Sequence, residues 1–171
     1  MEKEVSKENV EEFYEEYKKG NLERYVKSEP EPETQGAVYT LVGKTFKDII
    51  NDPSKDVLVK FYAPWCGHCK KVKTLLTLKS NKSISKLAPI YEKLAEELQE
   101  NSHLILADID ATQNDVEGIQ IKGYPTLKLF PGGPKRKVID YEGNREPEDI
   151  KRFLRENAYH PVHIPFQTED L

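Results

Sequence analysis

The run 57–63, VLVKFYA, is separated from a pair of cysteines, Cys66 and Cys69, by Pro64 and Trp65 only. A run this apolar is expected of a central strand covered on both faces, so the chain must supply neighbours at both its edges and a layer on each side. Its one exception is Lys60. Cysteines with two residues between them fit one turn of helix, close enough to form a disulfide without moving the backbone. A helix that begins at Cys66 puts that sulfur at the positive end of the helix dipole, beside free N–H groups that favour thiolate over thiol. Cys66 then reads as the nucleophile and Cys69, one turn in and more buried, as the resolving thiol. Gly67 and His68 between them are supporting positions. A protonated His68 stabilises the thiolate further and makes the disulfide easier to reduce, the property of an oxidant.

The competing use of two cysteines is half of a zinc site. A structural zinc takes four ligands, and beyond the cysteines the chain has His68, His103, His160 and His163, with no second pair at ligand spacing. The expectation is therefore no metal, and no cofactor other than the redox-active disulfide Cys66–Cys69.

The length of 171 residues suits one domain with a core, plus extra chain. Of the 30 acidic residues, eleven fall in positions 1–35, against six of the 26 basic ones, so the acidity belongs to an N-terminal arm and the rest is near neutral. No strongly basic face argues for nucleic acid, and no apolar run approaches the ~20 residues that cross a membrane. A monomer without nucleic-acid or membrane partners is expected. The start, MEKEVSKENVEEF, has no apolar core of a secretory signal.

Periodicity divides the chain further. Residues 6–19 carry Val10, Phe13, Tyr14 and Tyr17 at helical spacing, with Ser6 as N-cap and Gly20 as stop. The stretch 27–33, KSEPEPE, has linker composition, its two prolines favouring extended chain. Strands are expected at 38–42, 57–63, 104–109, 127–130 and, as an edge, 138–141, with helices at 44–51 and 147–157. A hairpin turns at Pro131-Gly132-Gly133-Pro134. Strands alternating with helices before a hairpin give an α/β fold, a mixed sheet with helices on both faces.

At FYAPWCGHCK (61–70), LAPIYEKLAEEL (87–98), DIDAT (108–112), GYPTLKLFPGG (123–133) and YEGNRE (141–146), the chain resembles the protein disulfide isomerase family. The order and nature of the blocks look most like its second, C-terminal catalytic domain. The resemblance covers residues 37–157 and implies a thioredoxin fold. It implies that Cys66 attacks substrate disulfides and Cys69 releases the mixed disulfide. It also implies that Pro125 is cis and faces the cysteines, leaving a backbone edge for extended substrate, with Trp65 and Tyr124 bordering that surface. Arg145 resembles a family arginine that swings toward the second cysteine and helps it ionise. The substrates implied are unfolded or misfolded cysteine-containing proteins, the redox partner a thiol oxidase or glutathione, and the location the endoplasmic reticulum lumen. The end, QTEDL, does not match that family's retention tail, so the chain is expected to be a piece of a longer one. Domain expectations follow: 1–35 as the last helix of a preceding domain plus a linker, 36–158 as the catalytic domain, 159–171 as a tail.

Two departures stand out. Many family members carry a buried acid where this chain has Lys60, and a lysine inside a sheet must deprotonate, pair, or snorkel to water; when neutral it can accept a proton. After Lys71 the chain inserts residues 72–86, VKTLLTLKSNKSISK, four lysines and no acid. Lengthening the helix by fifteen residues adds over ~20 Å and rotates the downstream face by about 60°, so the insertion is expected to loop out, exposing the glycosylation acceptor Asn81-Lys82-Ser83. The function expected is a thiol–disulfide oxidoreductase and isomerase. The alternatives are a redox-inactive chaperone-like binding module and a cytosolic thioredoxin-like reductase.

Overall fold

The computed structural model describes residues 6–21, 25–64, 87–134 and 137–165. Its elements run α1 (Lys7–Lys19), β1 (Tyr39–Thr40), α2 (Gly43–Ile50), β2 (Asp56–Tyr62), α3 (Leu87–Leu98), β3 (Leu104–Asp110), β4 (Thr126–Phe130), β5 (Ile139–Asp140) and α4 (Pro147–Asn157). The sheet order is β1-β3-β2-β4-β5. β1 and β2 lie parallel to β3, while β4 is antiparallel to both β2 and β5. This is the mixed sheet expected from the sequence, with β2 in the middle. The two-residue β1 and β5 are shorter than expected, as suits edge strands, whose outer backbone groups have no neighbour to pair with.

Alternation along β2 divides the core. Leu58 joins Tyr91, Leu94 and Leu98 of α3, and Ile150 and Leu154 of α4, on one face. Val57, Val59 and Phe61 join Phe46 and Ile50 of α2 on the other, where Phe46 meets the edges of Phe61 and Phe130. Every residue of β2 up to Phe61 is buried, which is why the strand reads as nearly continuous apolar sequence. α3 and α4 are tied by Lys151, 2% exposed, whose ammonium reaches Glu97 at 2.6 Å and Glu148 at 2.8 Å.

α1 has the ends the sequence predicts: the Ser6 hydroxyl accepts the Asn9 N–H at 3.2 Å, and Gly20 stops it in a left-handed conformation. Its apolar stripe covers nothing in the described structure; Phe13 and Tyr17 are 63% and 66% exposed.

Two stretches that composition assigns to linker and tail are fastened to the sheet. Lys27 donates its N–H to Asp115 at 2.8 Å and its ammonium to the Thr112 carbonyl at 2.7 Å. Asn114, 3% exposed, accepts the N–H groups of Gly43 and Glu29, each at 2.9 Å, and donates to the Glu29 carboxylate and the Asp110 carbonyl. The contact leaves no room at Gly43, where a Cβ would lie 2.3 Å from the Lys27 carbonyl oxygen. At the other end of the sheet Asp56 receives the N–H groups of Gly132, Tyr159 and His160 and the His160 ring. Asn101 exchanges bonds with His163, while Val162 and Ile164 pack on the α3–α4 core. Composition marks such segments as polar and proline-containing, but it does not register backbone N–H groups finding buried acceptors.

Two predictions follow from these anchors. Asn114→Ala strands several buried partners at once and should cost roughly 2–4 kcal/mol in denaturant unfolding, since each unsatisfied group carries a desolvation penalty of ~1–3 kcal/mol. Burial pushes the Asp56 carboxyl up, but the bonds from Tyr159, Gly132 and His160 outweigh it, and its pKa is lowered. A lowered carboxyl contributes stability that is present above roughly pH 4, where an unfolded aspartate ionises, and lost as pH falls through the folded value. The acid limb of stability against pH should therefore be shallower in Asp56→Asn than in the wild type.

Candidate active site

Three parallel strands, β1, β3 and β2, end on the same side of the sheet. In open α/β sheets the crevice beyond such ends is where ligands bind. Onto this side fall the start of α2, the turn after β3, and Ala63 and Pro64, which lead from Tyr62 toward the cysteines. Trp65, Cys66, Gly67, His68 and Cys69 lie outside the described residues, as does the 72–86 insertion with Asn81-Lys82-Ser83. The chain returns at α3, where LAPIYEKLAEEL forms a helix with Leu87, Tyr91, Leu94, Ala95 and Leu98 buried against the sheet.

Lys60 is 4% exposed and pairs with Asp108, its register partner on β3, at 3.2 Å from Nζ to Oδ2. Of the three fates open to a lysine in the sheet, pairing is the one adopted. The ammonium also lies 4.8 Å from the Tyr91 ring and 5.9 Å from that of Tyr62, whose π faces attract it. Tyr91 donates its hydroxyl to the Leu58 carbonyl at 2.6 Å. Burial, and then the charge of Asp108, hold this phenol well above its ordinary pKa. Tyr62 is raised in the same way, by burial first and then by Asp108, Asp110 and Glu29. Asp110 in turn accepts the N–H and hydroxyl of Thr112 at 2.8 and 2.6 Å. The charges beneath the site therefore form one set, and Asp108, its central acid, is a residue that sequence reading did not single out.

The Tyr124–Pro125 peptide is cis, as the resemblance implied. Tyr124 is partly buried against the α2-side core, and Pro125 precedes β4. Arg145, exposed in the loop before α4, donates to the Pro125 carbonyl at 3.3 Å. The two residues border a groove of about 270 Å³ that also takes in Lys128, Asp140 and Tyr141. Lys128 is 7% exposed and held by Asp140 at 2.5 Å, so this pair is neutralised, while Lys122, Glu142 and Arg145 also line the groove. The structure thus brings Arg145 to Pro125 and Lys60 to Asp108. Among the described residues no group of three or more His, Cys, Asp or Glu side chains is arranged to hold a metal ion.

Comparison with known proteins places these features in a wider setting. Residues 37–156 match the Thioredoxin family. The chain is 39% identical over 153 residues to protein disulfide-isomerase of Oryctolagus cuniculus, covering 88% of this chain and 27% of that protein. It is 40% identical over 155 residues to the Saccharomyces cerevisiae protein of the same name, covering 90% and 27%. It therefore spans about a quarter of the length of these relatives. Among solved structures, the Trx4 domain of ERdj5 matches with a TM-score of 0.54 at 21% identity, over 71% of this chain and 95% of that one, a likeness of fold alone. Human ERp44 matches at 0.52 and 26% identity, over 68% and 31%.

The buried pair reverses what an unpartnered ammonium would imply. Removal of a lone buried charge stabilises a protein, whereas removal of one member of a pair leaves the other uncompensated. Lys60→Met should accordingly destabilise the fold by about 3–5 kcal/mol, and the double change Lys60→Met with Asp108→Asn should recover most of that loss. Denaturant unfolding of the two variants checks both expectations.

Proposed function

Because this chain belongs to the thioredoxin family, we propose that it acts as a thiol–disulfide oxidoreductase and isomerase on cysteine-containing protein chains. The observation that carries the reading is the Cys66-Gly67-His68-Cys69 sequence, which begins four residues after the last residue of β2, at the site end of the sheet. The similarity to protein disulfide-isomerases over most of the chain supports the isomerase assignment and, with it, the endoplasmic reticulum lumen as location.

In this reading the Cys66 thiolate attacks a substrate disulfide. One substrate sulfur bonds to Cys66, and the other leaves as a thiolate and takes a proton. Cys69 then attacks Cys66, forming the intramolecular disulfide and freeing the second substrate sulfur. Run backward from the oxidised pair, the same exchange makes a disulfide in the substrate, and a thiol oxidase or glutathione resets the pair. The protein chemistry needs no other cofactor. Trp65, Tyr124 and Pro125 border the docking surface for an extended substrate, and Arg145, hydrogen-bonded to the Pro125 carbonyl, stands at its edge. Gly67 and His68 tune the attacking sulfur. The domain works as a monomer within a longer chain, and α1, with its apolar stripe bare, belongs to the domain before it.

Division of labour between the thiols gives the test. Cys66→Ser should abolish mixed-disulfide formation, Cys69→Ser should trap it, and alkylation at neutral pH should label Cys66 first. Labelling of Cys69 first would overturn the assignment. The reduction potential separates the activity classes: near −180 mV, roughly, for an isomerase and near −270 mV, roughly, for a thioredoxin-like reductase. A pair that does not exchange with glutathione would mark a redox-inactive binding module.

A further inference from the structure

Among the described residues no strand lies beyond β1 in the sheet, but a side chain takes a strand's place there. Successive residues of a strand turn their N–H and C=O groups to opposite edges. Leu41 donates its N–H to the Asp108 carbonyl on β3 at 2.8 Å, so Thr40, the residue before it, faces outward. Both outward groups of Thr40 are taken by Gln35. Its Oε1 accepts the Thr40 N–H at 2.8 Å, and its Nε2 donates to the Thr40 carbonyl at 3.3 Å. A carboxamide carries an acceptor and a donor side by side, so it reproduces the pair of bonds that a residue of a neighbouring strand would exchange.

Gln35 is exposed, yet it is delivered by a loop fixed at both ends. Glu29 is bound to Asn114 on one side, and the chain enters β1 at Tyr39 on the other. Pro30 and Pro32 within that loop lack N–H groups, so the loop offers a passing chain fewer donors of its own. A group tethered this closely competes as an intramolecular ligand, ahead of a chain in solution. What it competes against is strand addition, because an open edge accepts any extended chain through its backbone. Such capture would be misplaced on β1, which lies three strand spacings, about 14 Å, from β4. The groove beside Pro125 is on the β4 side.

We infer that Gln35 closes the β1 edge against the extended chains on which the domain acts, leaving the β4 side as their docking surface; the inference rests on the reading of its substrates as unfolded protein chains. The excluded occupant is an extended segment of substrate backbone, which would lie outside β1 as a further strand and exchange bonds with Thr40. Gln35 touches no reacting group. It decides where a substrate does not bind.

The test titrates a cysteine-free peptide of alternating threonine and valine, with lysines at its ends for solubility, into the wild type, Gln35→Ala and Gln35→Glu. Backbone amide shifts and the hydrogen exchange of Thr40 are followed, with melting curves alongside. In the free proteins the Thr40 amide should exchange faster in Gln35→Ala than in the wild type. The peptide should bind at β1 of Gln35→Ala roughly tenfold more tightly than at β1 of the wild type, about the worth of two net hydrogen bonds, and should restore protection at Thr40. Gln35→Glu, which keeps the acceptor and loses the donor, should fall between them. A folded Gln35→Ala that binds the peptide at β1 no better than the wild type, or whose Thr40 exchanges no faster, would overturn the inference. Self-association of Gln35→Ala through β1 in place of peptide binding would overturn the choice of occupant. The peptide has no cysteine, so these readouts are independent of the thiols, and a failure of the oxidoreductase reading would show in glutathione exchange alone.

Discussion

β2 is hydrogen-bonded along both edges and covered on both faces, and the rest of the molecule is arranged to meet those demands. A strand so placed has no solvent to fall back on, so each of its side chains must be apolar or be neutralised from within. Six of the seven positions from 57 to 63 take the first course. Lys60 takes the second, and Asp108 must stand opposite it on β3 because the parallel register puts their Cα atoms side by side. The β2–β3 pair is parallel and so needs a crossover, which α3 completes by returning over the face that holds this ion pair.

The two ends of the central strands are closed by buried polar residues that do the same work. At the start of β2, Asp56 collects donors from the β4–β5 turn and from the chain after α4. Beyond the end of β3, Asn114 collects them from α2 and from the strap before β1. Each is a short side chain whose hydrogen-bonding capacity is spent on backbone that would otherwise be unpaired on going out of water. The globular unit is therefore longer at both ends than its repeating elements, reaching back to Lys27 and forward to Ile164.

The Asn114 end is also the end at which β2 stops, so the strap from the preceding segment lies on the same side as the proposed site. Glu29, hydrogen-bonded to Asn114, is one of the charges that keep the Tyr62 hydroxyl protonated, together with Asp108 and Asp110. The acid–base environment under the proposed site is thus made by three chain segments far apart in sequence. On the other side Arg145 and Pro125, twenty residues apart, meet across the groove that borders β4.

Much of this was written in local pattern. Period-two and period-3.6 spacing sufficed for the strands and helices, α4 falling at 147–157 and α1 ending at Lys19 as expected, because amphipathic segments carry their own burial pattern. The cysteine spacing and the blocks around it pointed to the family by themselves. What sequence could not decide was which distant groups meet. VLVKFYA and LILADI each hold one charge, a visible signal, yet only the strand register turned the two charges into a pair and left one carboxylate oxygen free. The strap and the tail looked like unstructured chain because composition counts side chains, whereas their attachment is made by backbone N–H groups to Asp115, Asn114 and Asp56. Periodicity is a property of neighbours along the chain; charge pairing, burial of a lone oxygen and the capture of a passing backbone are properties of neighbours in space.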